Sequence, residues 1–335
     1  MDDGRNIASS LGTLSGEGSG QVVTRNTGVQ RMRPWEGLPE TADAAAGPSY
    51  YDRPMLKAPV WKLYIPGYYF MGGLAGAALA FGAAAQLDGA PEMKRLIARS
   101  HWVGIIGSSI GAGFLILDLG RPLRFLNMLR VFRPTSPMNM GAWLLAGTPP
   151  AAIAAGIPPV GQVSGYVAGL LGLGLSTYTG VLVANSAIPV WNESRRVLPL
   201  LFGASGMSAA GSVLKMFDDN PRALRAAKSF ALVGACAELA GSFVMERQAS
   251  ARSERAGAPL REGFSGALWK AAGVLTAAAL VTSLLPNQTK AKRVVGGIFG
   301  VLGSAALRFA VHYAGESSAR DPRATFHLQR SDSLR

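Results

Sequence analysis

Residues 134–192 read PTSPMNMGAWLLAGTPPAAIAAGIPPVGQVSGYVAGLLGLGLSTYTGVLVANSAIPVWN, 59 consecutive positions between Arg133 and Glu193 without Asp, Glu, Lys or Arg. A helix needs ~20 apolar residues to cross a ~30 Å hydrocarbon core, so this interval holds two crossings. Pro149-Pro150 marks a bend and Pro158-Pro159 the turn between them, which places the spans near 138–157 and 162–188. Composition agrees: 335 residues that are 49% apolar and only 16% charged exclude a soluble enzyme.

Further charge-poor intervals lie on both sides. They predict spans near 63–87, 100–117, 197–214, 226–245, 267–285 and 294–314, so the fold expected is all-α, a bundle of eight transmembrane helices at 63–315. Residues 1–49 are rich in Gly, Ser, Thr and Ala and read as a disordered tail. Residues 50–62, aromatic and proline-punctuated, read as an interfacial segment, and 316–335 as a polar C-terminal tail. Eight spans put both termini on one side, here side A, with the 118–137, 189–196 and 246–266 loops. Arg53, Lys57, Lys62, Arg320, Arg323 and Arg330 incline that side toward the cytoplasm of a cell-membrane protein.

Net charge is +13, but the 33 Lys and Arg are spread over tails and loops rather than gathered in a stripe, which argues for lipid headgroups and against nucleic acid. One cysteine, Cys236, cannot hold an iron–sulfur cluster or a Cys-ligated zinc. Of three histidines, His101 opens the second span on side B and His312 closes the eighth on side A, while His327 is in the tail; a bis-His haem is excluded on that topology. Any redox role would need an organic carrier and a partner bearing the metal. The 42 glycines cluster inside the spans, as at Gly72-Gly73 and Gly169, Gly172 and Gly174, where small residues let backbones approach.

Ionisable groups in or beside hydrocarbon carry most of the functional information. Asp118 opens the run Asp118-Leu119-Gly120-Arg121-Pro122-Leu123-Arg124, either a loop clamp or a proton-accepting carboxylate beside two guanidinium groups. Glu238 and Arg308 lie at matching depth in the sixth and eighth spans and read as an intramembrane pair, a packing clamp or part of a proton path. Lys215 can snorkel from the end of the fifth span. Trp61, Tyr64, Tyr68, Tyr69, Trp143 and Trp191 sit at the side A boundary, as an interfacial belt does. Tyr178 sits within the fourth span, on a helix with Thr177, Thr179 and Asn185, where its hydroxyl needs a partner and could hold a quinone carbonyl.

Tyr50 to Gly73 (YYDRPMLKAPVWKLYIPGYYFMGG), Leu117 to Trp143 (LDLGRPLRFLNMLRVFRPTSPMNMGAW) and Tyr178 to Pro199 (YTGVLVANSAIPVWNESRRVLP) together resemble the NrfD/PsrC family of polysulfide-reductase-type membrane subunits, over essentially all of 50–315. The resemblance implies an integral subunit with no haem or iron–sulfur cluster of its own. Such a subunit exchanges electrons between a menaquinone or ubiquinone pool, bound as substrate, and a docked ferredoxin-like iron–sulfur subunit, commonly with a molybdopterin-type catalytic subunit. It places a quinone pocket at Tyr68 or Tyr69, Asp118 and Tyr178, with Asn185 close by. Arg121, Arg124, Arg130 and Arg133 fall to partner docking or loop structure. Where some members carry Asn and His on the first helix, this chain has Ile65-Pro66-Gly67-Tyr68-Tyr69. A second reading is a membrane anchor or proton conduit without quinone turnover. A solute transporter is third, because paired interrupted helices in an inverted repeat are not evident.

Overall fold

The computed structural model describes residues 56–321 and 324, except 60, 62, 122, 218, 252 and 253, together with 7–8 and 13–14. The chain divides into two units, Met1–Ser49 and Tyr50–Arg335. In the first, the strands β1 (Ile7–Ala8) and β2 (Thr13–Leu14) pair antiparallel, Ile7 opposite Leu14. The rest of the expected tail lies outside the described residues, as do 50–55 of the interfacial segment and Arg53, Lys62, Arg323, His327 and Arg330.

The second unit is all-α. Its long helices are α1 (Tyr64–Asp88), α2 (Lys94–Asp118), α4 (Pro137–Ala154), α5 (Gly161–Ala184), α7 (Leu198–Phe217), α8 (Pro221–Ala251), α10 (Gly263–Leu284) and α11 (Lys290–Arg320). Short helices α3 (Arg124–Met128), α6 (Pro189–Glu193) and α9 (Glu254–Gly257) lie in the side A loops. In hydrocarbon every backbone N–H and C=O must be paired within the segment, so apolar runs of this length can only be helical. Where the runs stop, local chemistry ends them. Gly89, at φ +66°, closes α1. Ser136 caps α4 ahead of Pro137, and Thr289 caps α11.

Seven of these helices are long and apolar enough to cross a membrane, making this a multi-pass membrane bundle. The eighth long helix, α4, falls outside that set and corrects the expected count of eight equivalent spans. At 18 residues it is the shortest of them, and Asn139, Thr148, Pro149 and Pro150 dilute its apolar content. Several helices, α2, α8 and α11 above all, overrun the expected spans, whereas α4 and α5 end three and four residues short of theirs. α8 and α11 reach 31 residues, about 46 Å at 1.5 Å per residue, against a core of ~30 Å. Hydrophobic runs mark the part immersed in hydrocarbon, whereas the helix continues into the charged headgroup layer.

α1 is central and packs on α2, α5, α7 and α11. Its closest approach is to α5: a Cβ at Gly172 would stand 2.6 Å from the carbonyl oxygen of Gly76, so the two backbones touch only because both positions are glycine. Ion pairs sit at the ends. On side B, Arg222 meets Asp88 at 2.9 Å and Arg293 meets Asp219 at 3.1 Å; on side A, Arg261 meets Glu246 at 2.8 Å and Arg320 pairs with Glu316.

Candidate functional site

Near the side A ends of α1, α5 and α11 a buried aromatic cluster assembles. Tyr68 and Tyr69 are adjacent on α1, and helical spacing turns the first toward α5 and the second toward α7 and α11. The Tyr68 ring lies 6.4 Å from that of Tyr178 and 6.0 Å from that of Tyr69. Tyr69 in turn lies 6.1 Å from Phe202 and 6.2 Å from His312. Trp61 stacks at 6.3 Å on Trp191 and at 6.1 Å on His312. Most of these rings are buried, Tyr68, Tyr69, Trp191 and His312 almost completely. The expected interfacial belt is therefore divided: Trp61, Tyr64 and Trp143 are exposed, but Tyr68, Tyr69 and Trp191 are interior. The Trp191 indole N–H donates to the Val311 carbonyl at 2.8 Å. Trp191 is interior because α6, in the connection from α5 to α7, packs on α11, and hydropathy at a span boundary cannot report that.

Three polar atoms in the cluster are buried with no hydrogen-bond partner among the described residues: Tyr68 Oη, Tyr69 Oη and His312 Nδ1. A buried polar atom left alone costs about 1–3 kcal/mol, so three at one place make this cluster the candidate polar site of the bundle.

Arg308 builds the floor. Its guanidinium donates to the carbonyls of Tyr69 at 2.7 Å and Phe202 at 2.5 Å, reaches Thr179 Oγ1 at 3.5 Å, and lies over the Phe202 ring at 4.4 Å. Gly73 makes room for it, since a Cβ there would stand 2.7 Å from the guanidinium carbon. Gly141 on α4 does the same for the Tyr178 ring, and Gly315 for that of Trp191.

Glu238 is equally buried, yet it and Arg308 make no ion pair with each other, which corrects the expected direct pairing. Thr276 donates to Glu238 Oε1 at 2.8 Å and Ser304 to Oε2 at 2.9 Å. Depth alone placed the two charges together. In three dimensions two neighbouring helices supply hydroxyls to the acid, and main-chain carbonyls take the arginine. The charges remain related, because Ser304, Arg308 and His312 recur every fourth residue along one face of α11.

Of the other expected site residues, Asp118 is half-buried at the end of α2, close enough for its charge to act on Tyr69. Gly120 turns the chain at φ +67° directly afterwards. Arg121 and Arg124 are then exposed and form no ion pair with Asp118, so the flanking guanidinium cluster is not formed. Arg130 and Arg133 are exposed in the same loop. Asn139 organises that loop, its amide donating to Met128 and Val131 carbonyls at 2.7 and 2.9 Å and accepting from Arg133 N–H at 2.7 Å. Asn185 is exposed at the end of α5 and spends its amide N–H on the Val181 carbonyl at 2.9 Å, apart from the aromatic cluster. Lys215, expected to snorkel, is buried and donates to Ser283 at 2.8 Å.

His312, read in the sequence only as lying toward side A, and Trp191, Gly73 and Gly141 were not among the residues expected to line the site. A histidine four residues beyond a buried arginine on an apolar helix was the available signal for the first. Among the described residues no group of three or more His, Cys, Asp or Glu could hold a metal ion. A comparison with curated proteins finds no match. The family model described as polysulphide reductase, NrfD matches residues 53–318, which cover every α-helix described above except the last two residues of α11. With that match and the multi-pass architecture, the chain belongs to the NrfD polysulphide reductase family of integral membrane proteins.

Proposed function

We propose that this chain is the quinone-reactive membrane subunit of a respiratory oxidoreductase complex. In this reading it exchanges electrons between menaquinone or ubiquinone and a ferredoxin-like iron–sulfur subunit docked on side A, and a molybdopterin-type catalytic subunit completes the complex. The observation that carries the reading is the trio of polar atoms without a partner among the described residues, Tyr68 Oη, Tyr69 Oη and His312 Nδ1, inside an aromatic cage at the side A end of the bundle. A quinone suits such a cage. Its flat ring packs among aromatic faces, and its two oxygens accept hydrogen bonds from tyrosine hydroxyls.

Quinol oxidation releases two electrons and two protons, and quinone reduction takes up the same, so the site must adjoin both an electron carrier and a protonatable group. Tyr178 and the Tyr68–Tyr69 pair hold the ring oxygens. Arg308, fixed on the floor, favours negative charge developing on the nearer oxygen. Asp118, between the cluster and the loop, exchanges protons with water. The loop itself suits docking, since Arg121, Arg124, Arg130 and Arg133 stand exposed beside Leu123, Leu126 and Phe132, the mixture of cation and apolar side chain that a protein interface uses. α4, packed along α5, completes an eight-helix set with both termini on side A.

The test is quinone-linked turnover of the assembled complex carrying Asp118→Asn or Tyr178→Phe, which keep shape and remove a proton acceptor or a hydroxyl. General acid–base contributions are typically ~10²–10⁴-fold, and a loss of that order is expected for Asp118→Asn. Normal assembly with full turnover in both variants refutes the pocket.

A proton conduit is the second reading, favoured by one observation. Ser205, Ser208, Ser212 and Lys215 are all buried and lie on one face of α7 running to side B, while Ser304, Arg308 and His312 continue along α11 to side A, with Glu238 bonded to Ser304 between them. Glu238→Gln in reconstituted vesicles separates the two: lost proton movement with intact electron transfer assigns the stripe to protons.

A further inference from the structure

At side B, away from the aromatic cluster, the turn joining α4 to α5 stands off from α2 and leaves a cavity of about 830 Å³. Its wall is apolar. Ile97, Trp102 and Ile105 of α2 face Ile153 of α4, and both Trp102 and Ile153 are more than half exposed, so the cavity opens sideways where lipid tails lie.

Four polar side chains interrupt that wall: Gln162, exposed near the start of α5, and His101, Gln86 and Lys94. His101, only 8% exposed, lines the cavity with Nε2 buried and without a partner among the described residues. Gln86, near the end of α1 and pressed over Gly165, brings a buried amide oxygen that also has no partner among them. Lys94 stands exposed at the start of α2 and makes no ion pair among the described residues. Seven residues of helix separate Lys94 from His101, about 10 Å along the axis. That offset puts the ammonium in the headgroup layer and the imidazole just inside the hydrocarbon boundary.

A ligand for this place must carry an apolar chain, a negative charge at the mouth, and hydrogen-bonding groups between them. We infer that the cavity is a specific site for one anionic glycerophospholipid: its phosphate pairs with Lys94, a headgroup hydroxyl donates to Gln86, an ester carbonyl accepts from His101, and an acyl chain lies along α2. A quinone ring offers no negative charge for Lys94, and a quinone has no donor for the Gln86 carbonyl. The inference is independent of the quinone reading, because it concerns the opposite end of the bundle and its test does not use turnover.

The full chain is delipidated in mild detergent, then titrated with phosphatidylglycerol or phosphatidylcholine, with bound lipid counted by native mass spectrometry and the unfolding midpoint followed. One phosphatidylglycerol per chain should bind and raise the midpoint, while phosphatidylcholine binds about tenfold more weakly or worse. Lys94→Gln, at an exposed position that folding tolerates, should erase the preference for the anionic lipid. Ile153→Trp, which fills the cavity and leaves Lys94 in place, should abolish the bound lipid altogether. Equal binding of both lipids, unaffected by either variant, reduces the cavity to ordinary lipid contact and overturns the inference. So does free glycerol phosphate competing as well as the intact lipid, or retention of a quinone there in place of phospholipid.

Discussion

The substitution Gly73→Ala tests the architecture of the site with one methyl group. A Cβ at Gly73 would stand 2.7 Å from the guanidinium carbon of Arg308 and 2.8 Å from Nη1, well inside van der Waals contact. Arg308 has little freedom to retreat. Its two carbonyl bonds, at 2.7 and 2.5 Å, and its seat on the Phe202 ring hold it from three sides. Hydrogen bonds to a charged group contribute about 1.5–3 kcal/mol each, so displacing the guanidinium from both carbonyls should cost about 3–6 kcal/mol. Helix propensity acts in the opposite direction, favouring Ala over Gly by about 1 kcal/mol in a helix interior. A matched control exists in Gly273 on α10, where a Cβ would meet nothing within 4 Å. Thermal unfolding of the purified chain should therefore show Gly73→Ala strongly destabilised and Gly273→Ala unchanged or slightly stabilised. Under the proposed function, quinone-linked turnover of the Gly73→Ala complex should fall as well, because the floor under Tyr69 moves. Equal unfolding midpoints for the two variants would refute the assignment of Arg308 as a fixed, close-packed floor.

Thr276→Val leaves Glu238 Oε1 buried without a donor and should cost about 1–3 kcal/mol in unfolding experiments, whereas Glu238→Gln, which keeps hydroxyl partners for both terminal atoms, should cost less. The reverse order would show that Thr276 is not what holds the acid. Asn139→Ala removes three hydrogen bonds from the loop and should make Arg130 and Arg133 trypsin-sensitive in the intact protein; unchanged resistance would mean the loop is held by other contacts. Reporter fusions at the two termini should report the same side of the membrane, and opposite signals would remove one long helix, α4 first, from the crossing set.

The bundle was legible because its signal is one-dimensional. Charge-free or charge-poor intervals of sufficient length locate every long helix, and the 59-residue interval needed only the two Pro-Pro pairs to divide it into α4 and α5. What the intervals could not convey is how far each helix continues past the hydrocarbon, since helicity persists where apolarity stops. The site was less legible. Position along the helices put Tyr178 inside a span but Tyr68 and Tyr69 at a boundary, and grouping the three was what the family resemblance implied; the structure brings their rings together in sequence, Tyr69 at 6.0 Å from Tyr68 and Tyr68 at 6.4 Å from Tyr178. Pairing across helices does not follow from position: equal depth suggested that Glu238 meets Arg308, but rotation about each axis decides contact, and there the hydroxyls of Thr276 and Ser304 reach the acid. Asn185 failed for a related reason. It follows Tyr178 by seven residues and shares its helical face, yet the helix ends there and the side chain satisfies its own backbone.

The separation of Glu238 from Arg308 bears on what the bundle can do. Two buried charges locked in one ion pair would form a static clamp, expensive to disturb and closed to proton exchange. Here the arginine is committed to backbone carbonyls and the acid to two hydroxyls, which can rotate and can both donate and accept. Glu238 thus sits among rotatable groups in mid-bundle, between the serines of α7 leading to side B and the face of α11 leading to His312 and Tyr69. Under the proposed function, protons exchanged through Asp118 stay on side A, and turnover moves no charge across the membrane within this chain. Protons drawn along the α7 face would instead cross most of the bilayer, and each would couple turnover to the membrane potential by about 2.3 kcal/mol per 100 mV. The two routes share the same tyrosine cluster and differ at Glu238 and Asp118 alone. Turnover of reconstituted complex under an imposed potential distinguishes them: potential-dependent rates that become potential-independent in Glu238→Gln assign the proton route to the α7 face, and rates indifferent to potential in the unaltered complex assign it to Asp118.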